Sequence, residues 1–262
     1  MVRAIERLGR RTVAAVEELG YLSALLGESL YWLFLGKRRN QPVRLNSVFR
    51  EAMLIGVRAI PIVAVLAFAV GVMLAIQGIE TLKKFGAEGQ VVVGIALSVT
   101  REFAPLIVGI LVAGRSGSAI AARIGTMRES QEVDALQVMG INPIRFLAAP
   151  VLVAMLLTLP ALTILADFMG LLGGGIFTAA ETQGTLGVYF TQTFEVLSVD
   201  DVRQGLLKSL VFAVIITLVG ISNGFQVTGG AEGVGHATTR AVVLSISGIV
   251  LADMLFTFLL NR

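Results

Sequence analysis

Arg101 and Glu102 stand side by side inside an apolar run from about Val91 to Ala113, and Asp253 stands alone in another from Ala241 to Leu260. A charge at such a place costs at least ~2.5 kcal/mol on membrane-insertion scales, so it survives by facing a protein interior or a wet cavity. There, a guanidinium can grip a phosphate through paired N–H groups. Arg101 and Glu102 thus read as a polar station on a translocation path, or as an ion-pair clamp that only holds helices together. Pro105, one turn later, removes a backbone donor and loosens the helix at that level. Asp253 suits a cavity-facing or a packing role equally. Asp167, late in a third apolar run, is expected to emerge near the outer surface.

Other chemistries lack their parts. Gly114-Arg-Ser116-Gly117 resembles the serine motif of rhomboid proteases, but the serine needs a histidine to activate it, and the sole histidine, His236, lies in a glycine-rich loop. That loop, Gly229 to Gly235, looks like a phosphate cradle without the Lys-Ser/Thr that must follow, and is expected to be a flexible inner loop. Cysteine is absent, which removes disulfides, thiolate nucleophiles and Cys-based metal sites. No His-Glu-x-x-His motif occurs. The chain is expected to bind no cofactor or metal and to hydrolyse no ATP by itself.

The elements that position these charges are spans. Of 262 residues 55% are hydrophobic and only 15% charged, against about a quarter in soluble domains; mean hydropathy is +0.84. An all-α polytopic membrane protein follows, with five spans at about Ala59–Ile79, Val91–Ala113, Phe146–Phe177, Leu206–Phe225 and Ala241–Leu260. The third is overlong and carries Pro150 and Pro160, implying tilt or a kink. Gly170-x-x-x-Gly174 and Gly220-x-x-x-Gly224 match a helix-packing pattern that arises often by chance among 29 glycines. Residues 178–204 form an outer segment with room for a short capping helix.

Residues 1–45 read as an amphipathic helix lying in the interface, apart from the five-span region of residues 46–262. Leu19, Leu22, Leu26, Leu30 and Leu33 keep one face, and Tyr21, Tyr31 and Trp32 suit headgroup level. Packing against the spans is the alternative. No cleavable signal peptide is evident. With the N-terminus inside, the inner side holds fifteen Lys/Arg: Arg3, Arg7, Arg10, Arg11, Lys37, Arg38, Arg39, Arg44, Arg50, Arg58, Arg115, Arg123, Arg128, Arg145 and Arg240. The outer side holds five: Lys83, Lys84, Arg203, Lys208 and Arg262. This bias favours a cytoplasmic N-terminus and an outer C-terminus.

A polar insert, Gly114 to Pro143, interrupts the lipid-directed pattern. Thr126-Met-Arg-Glu129 fits a capping box; Val133, Leu136 and Met139 recur at threes, and Gly140 and Pro143 supply a stop. A surface helix from Thr126 to Met139 is expected, with Gly114–Gly125 as the end of the second span and its turn. Too short and too charged to span, it must touch a partner.

Several segments together resemble the MlaE/YrbE permease family: Arg101-Glu-Phe-Ala-Pro105, Ala113-Gly-Arg-Ser-Gly-Ser-Ala119, Gly125-Thr-Met127, Asp134-Ala-Leu136, Met139-Gly-Ile-Asn-Pro143, Gly229–Gly235 and Ala237-Thr-Thr-Arg-Ala-Val-Val243, with Gln77 and Asp253. The similarity covers about residues 45–260. Arg123 stands where glutamate is usual, Gln131-Glu132 reverses a usual pair, and Val151 replaces an arginine. The resemblance implies the permease subunit of an ABC-type phospholipid transporter working between inner and outer membranes. It would be a homodimer in the bacterial inner membrane. Its partners would be a cytoplasmic ATPase holding ATP and magnesium, often a STAS-domain protein, and an outer ring of MCE-domain subunits, with no nucleic acid. It maps the coupling helix onto Thr126, Arg128, Glu129, Glu132, Asp134, Leu136 and Met139, and the lipid cavity onto Arg101 and Glu102. Asp253, Arg240 and Arg50 complete the candidate lipid-contacting set. A proton-coupled transporter using Glu102 and Asp253, or a non-transporting scaffold, are the alternatives.

Overall fold

A bilayer offers no water to a free peptide group, so an apolar run must close its hydrogen bonds on itself. The computed structural model, which describes residues 2–36, 42–182 and 184–260, is accordingly all helical, with no strand among the described residues. Lys37, Arg38, Arg39 and Arg262 lie outside the described residues, as do the side chains of Arg3, Arg7, Arg10 and Arg11.

The elements are α1 (Val2–Leu35), α2 (Leu45–Ile55), α3 (Ile60–Lys83), α4 (Val91–Ser98), α5 (Ala104–Val112), α6 (Ser118–Glu129), α7 (Glu132–Val138), α8 (Ala149–Glu181), α9 (Leu186–Val196), α10 (Val199–Phe225) and α11 (Gly230–Leu260). They assemble into five helices long and apolar enough to span: Leu45–Lys83, Val91–Glu129, Ile144–Glu181, Val199–Phe225 and Gly230–Leu259. The spans expected from sequence are all present, but every one is longer. The second has 39 residues, about 58 Å at helical rise, against a hydrocarbon layer of ~30 Å. Helical pairing therefore continues beyond the lipid, where residue polarity no longer marks its limit.

Three expectations change for that reason. The second span does not turn at Gly114–Gly125; it runs on through a π-turn at Ala113–Gly117 and α6 to Glu129. Residues 230–235 are not a loop but the first turns of α11, entered through positive φ at Gly229 and Gly230. The fourth span begins at Val199, where Ser198 and Asp201 form a reciprocal capping box.

α8 and α10 are the buried centre of the bundle, while α3 and α11 turn much of their surface outward. α3 meets α8 at backbone contact: a Cβ on Gly71 would fall 1.9 Å from the Gly170 carbonyl oxygen. The glycine pattern at Gly170 and Gly174 thus marks a true close approach, made possible by missing side chains.

Alternation of the spans puts α7, the residue 226–229 turn and the start of α2 at one end, and α9 and residues 84–90 at the other. At the α7 end α1 docks through its C-terminal half. Leu25, Ser29 and Trp32 are buried, Asn142 donates to Glu28 (2.7 Å), and the Arg145 guanidinium lies 5.7 Å from the Trp32 ring centroid. Val13, Val16 and Leu19 remain exposed.

Candidate functional site

The π-turn at Val99–Phe103 carries both charges of the sequence pair. It precedes Pro105, whose ring and missing N–H cannot fit a regular turn, and a wider turn absorbs both. Arg101 and Glu102 therefore aim separately at α10, where Asp201 and Lys208 lie seven residues apart on one face. The Arg101 guanidinium reaches Asp201 Oδ1 through Nε (2.6 Å) and Nη2 (2.5 Å). Asp201 uses its other oxygen, Oδ2, to accept from the Ser198 N–H (2.8 Å) and hydroxyl (2.8 Å), so one carboxylate both caps α10 and holds Arg101.

Two turns deeper, the Lys208 ammonium is fully buried. It pairs with Glu102, lies 2.9 Å from Asp253 Oδ1 on α11, and donates to the Thr257 hydroxyl (3.1 Å). Thr257 in turn donates toward Glu102 (3.2 Å). One cation thus joins two carboxylates from different spans. Glu102, 32% exposed, is the member that opens outward. Close approach of the helices is required: a Cβ on Gly205 would stand 2.4 Å from the Thr100 carbonyl oxygen.

Arg101, Glu102 and Asp253 are therefore brought together. Along the 39-residue second helix Arg101 lies about 15 Å from the start, in its α9-end third. Arg50 and Arg240 lie apart, near the α7 end: Arg50 is exposed on α2, and Arg240 Nη2 pairs with Glu18 of α1 at 3.0 Å. Lys208 is the residue that sequence reasoning missed, having counted it among outer-loop charges. The available signal was its seven-residue spacing from Asp201 and the need of Glu102, inside an apolar run, for a cation. Asp167 does not emerge at the surface either; it is 8% exposed within α8, and its Oδ1 has no hydrogen-bond partner.

The expected coupling helix is two elements. Thr126, Arg128 and Glu129 belong to α6, and the Thr126 hydroxyl donates back to the Ala122 carbonyl (2.9 Å) instead of capping a new helix. Ser130 and left-handed Gln131 (φ 60°) turn the chain, and α7 carries Glu132, Asp134 and Leu136. Arg128 pairs with Asp134 across the turn. Val133 and Leu136 are buried beside Leu147, while Val138 and Met139 are exposed, because the helix ends at Val138 and Gly140 (φ 73°) reverses the chain. Arg123, unmatched in sequence, pairs with Glu51 of α2 at 2.7 Å.

An all-α bundle of five spans with an ionic cluster bridging three of them is an integral membrane protein of the polytopic class. The chain belongs to the MlaE permease family, whose model matches residues 48–259. It is 33% identical over 257 residues to a probable ABC transporter permease protein of Rickettsia prowazekii, covering 98% of this chain and 97% of that one. It is 29% identical over 261 residues to the intermembrane phospholipid transport system permease protein MlaE of Haemophilus influenzae, covering 98% and 97%. A chloroplastic protein of Arabidopsis thaliana, trigalactosyldiacylglycerol 1, is 36% identical over 188 residues, covering 72% of this chain and 54% of that one.

Proposed function

We propose that this chain is the membrane-spanning subunit of an ABC-type transporter that moves phospholipid between the inner and outer membranes of a bacterium. The carrying observation is the Glu102–Lys208–Asp253 cluster. A charged cluster of this kind inside a permease-family bundle gives a headgroup polar contacts where the surrounding surface is apolar. Arg101, held by Asp201 but still partly exposed, supplies guanidinium N–H groups at the same end.

ATP and magnesium belong to a partner ATPase, docked on the exposed face of α7 and the α6–α7 turn: Glu129, Glu132, Asp134, Val138 and Met139. A second copy of the chain completes the cavity, with an MCE-domain ring on the α9 side and a STAS-domain protein at the ATPase. The α7 end faces the cytoplasm. Among the described residues outside the bundle interior, Arg44, Arg50, Arg58, Arg115, Arg123, Arg128, Arg145 and Arg240 lie at that end, against Lys83, Lys84 and Arg203 at the other. The proton-relay alternative is disfavoured because Glu102 and Asp253, its two acids, both face the Lys208 ammonium.

The test is co-reconstitution with the ATPase. Replacing Glu132 and Asp134 by lysine should leave the bundle folded, since both are exposed, and should separate ATP hydrolysis from lipid transfer. Transfer per ATP unchanged from wild type would remove α7 from the coupling path.

A further inference from the structure

A cationic site lies far from the Glu102–Lys208–Asp253 cluster, between α2 and α6 near the α7 end. It is a groove of about 200 Å³ whose lining includes Glu51, Leu54, Arg58, Arg115, Ser116 and Arg123. Three guanidinium groups share it with one carboxylate. Glu51 is 5% exposed and engaged by Arg123 Nη1 at 2.7 Å, so the charge of Arg58 and Arg115 is left over. Arg115 Nη1 and Arg123 Nε are shielded from solvent, yet neither has a hydrogen-bond partner. Buried N–H groups on a cation are costly to leave unpaired, and an oxyanion with several acceptor oxygens is the complement of such a set.

The level of the groove narrows the ligand. Arg115 is about 36 Å along the second span from Val91, past a ~30 Å hydrocarbon layer and so at headgroup height. The rim is apolar and open: Leu54, Val57 and Ile60 are 37%, 48% and 42% exposed where α2 passes into α3. We infer that this groove binds a phosphate ester, with Arg58, Arg115 and Arg123 as its ligands, Glu51 competing for the Arg123 charge, and the α2–α3 face beside it suited to acyl chains. The site is independent of the transport reading, since the member of the ionic cluster on the same helix, Glu102, is about 20 Å away.

Because the chain has no cysteine, a single Leu54→Cys substitution carrying an environment-sensitive fluorophore reports this groove alone. The full chain in dodecyl maltoside, a phosphate-free detergent, is titrated with dioctanoyl phosphatidylglycerol, dioctanoylglycerol and glycerol 3-phosphate. Saturable binding of phosphatidylglycerol is expected, with no response to dioctanoylglycerol. Arg58→Gln should weaken binding about tenfold, and Glu51→Gln, which removes the competing carboxylate, should tighten it by a similar factor. Arg58 is exposed and has no ion pair among the described residues, so its variant carries the test even where the Glu51 variant misfolds. Glycerol 3-phosphate saturating as tightly as the lipid would keep the phosphate site and assign it to a soluble ester. Equal binding of dioctanoylglycerol, or unchanged phosphatidylglycerol affinity in a folded Arg58→Gln, Arg115→Gln double variant, overturns the inference. Loss of lipid transfer without loss of this fluorescence response would touch only the transport reading.

Discussion

Lys208 is where a single substitution carries most meaning. Its ammonium lies between Glu102 and Asp253 with no exposure, so Lys208→Met leaves two carboxylates facing each other without a cation. Breaking a buried pair from one side costs about 3–5 kcal/mol, whereas replacing all partners by neutral groups is often close to neutral. The expectation is that Lys208→Met lowers the unfolding temperature in detergent strongly. The triple variant Glu102→Gln, Lys208→Met, Asp253→Asn should regain most of that stability while remaining inactive in lipid transfer. A triple variant that transfers lipid at the wild-type rate would reduce the cluster to a clamp. Half of this cluster was legible in the sequence. Arg101, Glu102 and Asp253 announce themselves because charge in an apolar run is conspicuous. Lys208 hid because it lies close enough to the run's polar start, Asp200-Asp-Val-Arg203, to pass for loop. Pairing across spans, and the backbone capping by Asp201, depend on contacts no single run displays.

At the scale of elements, the π-turn at Val99–Phe103 and Gly205 form one device. The wider turn rotates Arg101 and Glu102 apart, and the bare glycine lets α10 lie against the Thr100 carbonyl so that both reach their partners. A methyl group at Gly205 would sit 2.4 Å from that oxygen, which forces the helices apart. Gly205→Ala should cost about 1–3 kcal/mol, the usual range for overpacking, and should reduce lipid transfer together with Lys208→Met in kind. A Gly205→Ala protein with wild-type melting and transfer would show that α10 can shift freely here. The elements themselves were foreseeable from hydropathy, except where helix continued past the lipid. Thr126-Met-Arg-Glu129 has the right residues for a capping box, yet the preceding helix simply ran through it. A local motif cannot report that its N-terminal neighbour is already helical.

For the whole molecule, the outward face of α11 sets the question of assembly. Val243, Val250, Leu251, Met254, Leu255 and Phe258 are about half exposed or more along that helix, beside the Asp253 and Thr257 that close the site. Lipid can cover such a face, and the proposed second copy can cover it equally. A chain free of cysteine allows a direct test: single cysteines at Leu251, Met254 and Leu255, oxidised in native membranes. Disulfide-linked dimers are expected at one or more of these positions, and monomer at all three would remove α11 from a homodimer interface.

The length of the second span has one further consequence. Between Arg101 and Glu129 the chain is uninterrupted helix, about 42 Å at 1.5 Å per residue, with a π-turn at each of Val99–Phe103 and Ala113–Gly117. Such a rod is a lever arm with two elbows. Tilting its lower end by about 5° about the upper elbow swings the α6–α7 turn by about 4 Å over that length, and the same rotation run in reverse magnifies force by the ratio of arm to side chain. A small stroke delivered at Glu129 is therefore geared onto the short reach between Arg101 and Asp201 through continuous helix, with the Ala113–Gly117 elbow as the one place along it that can bend.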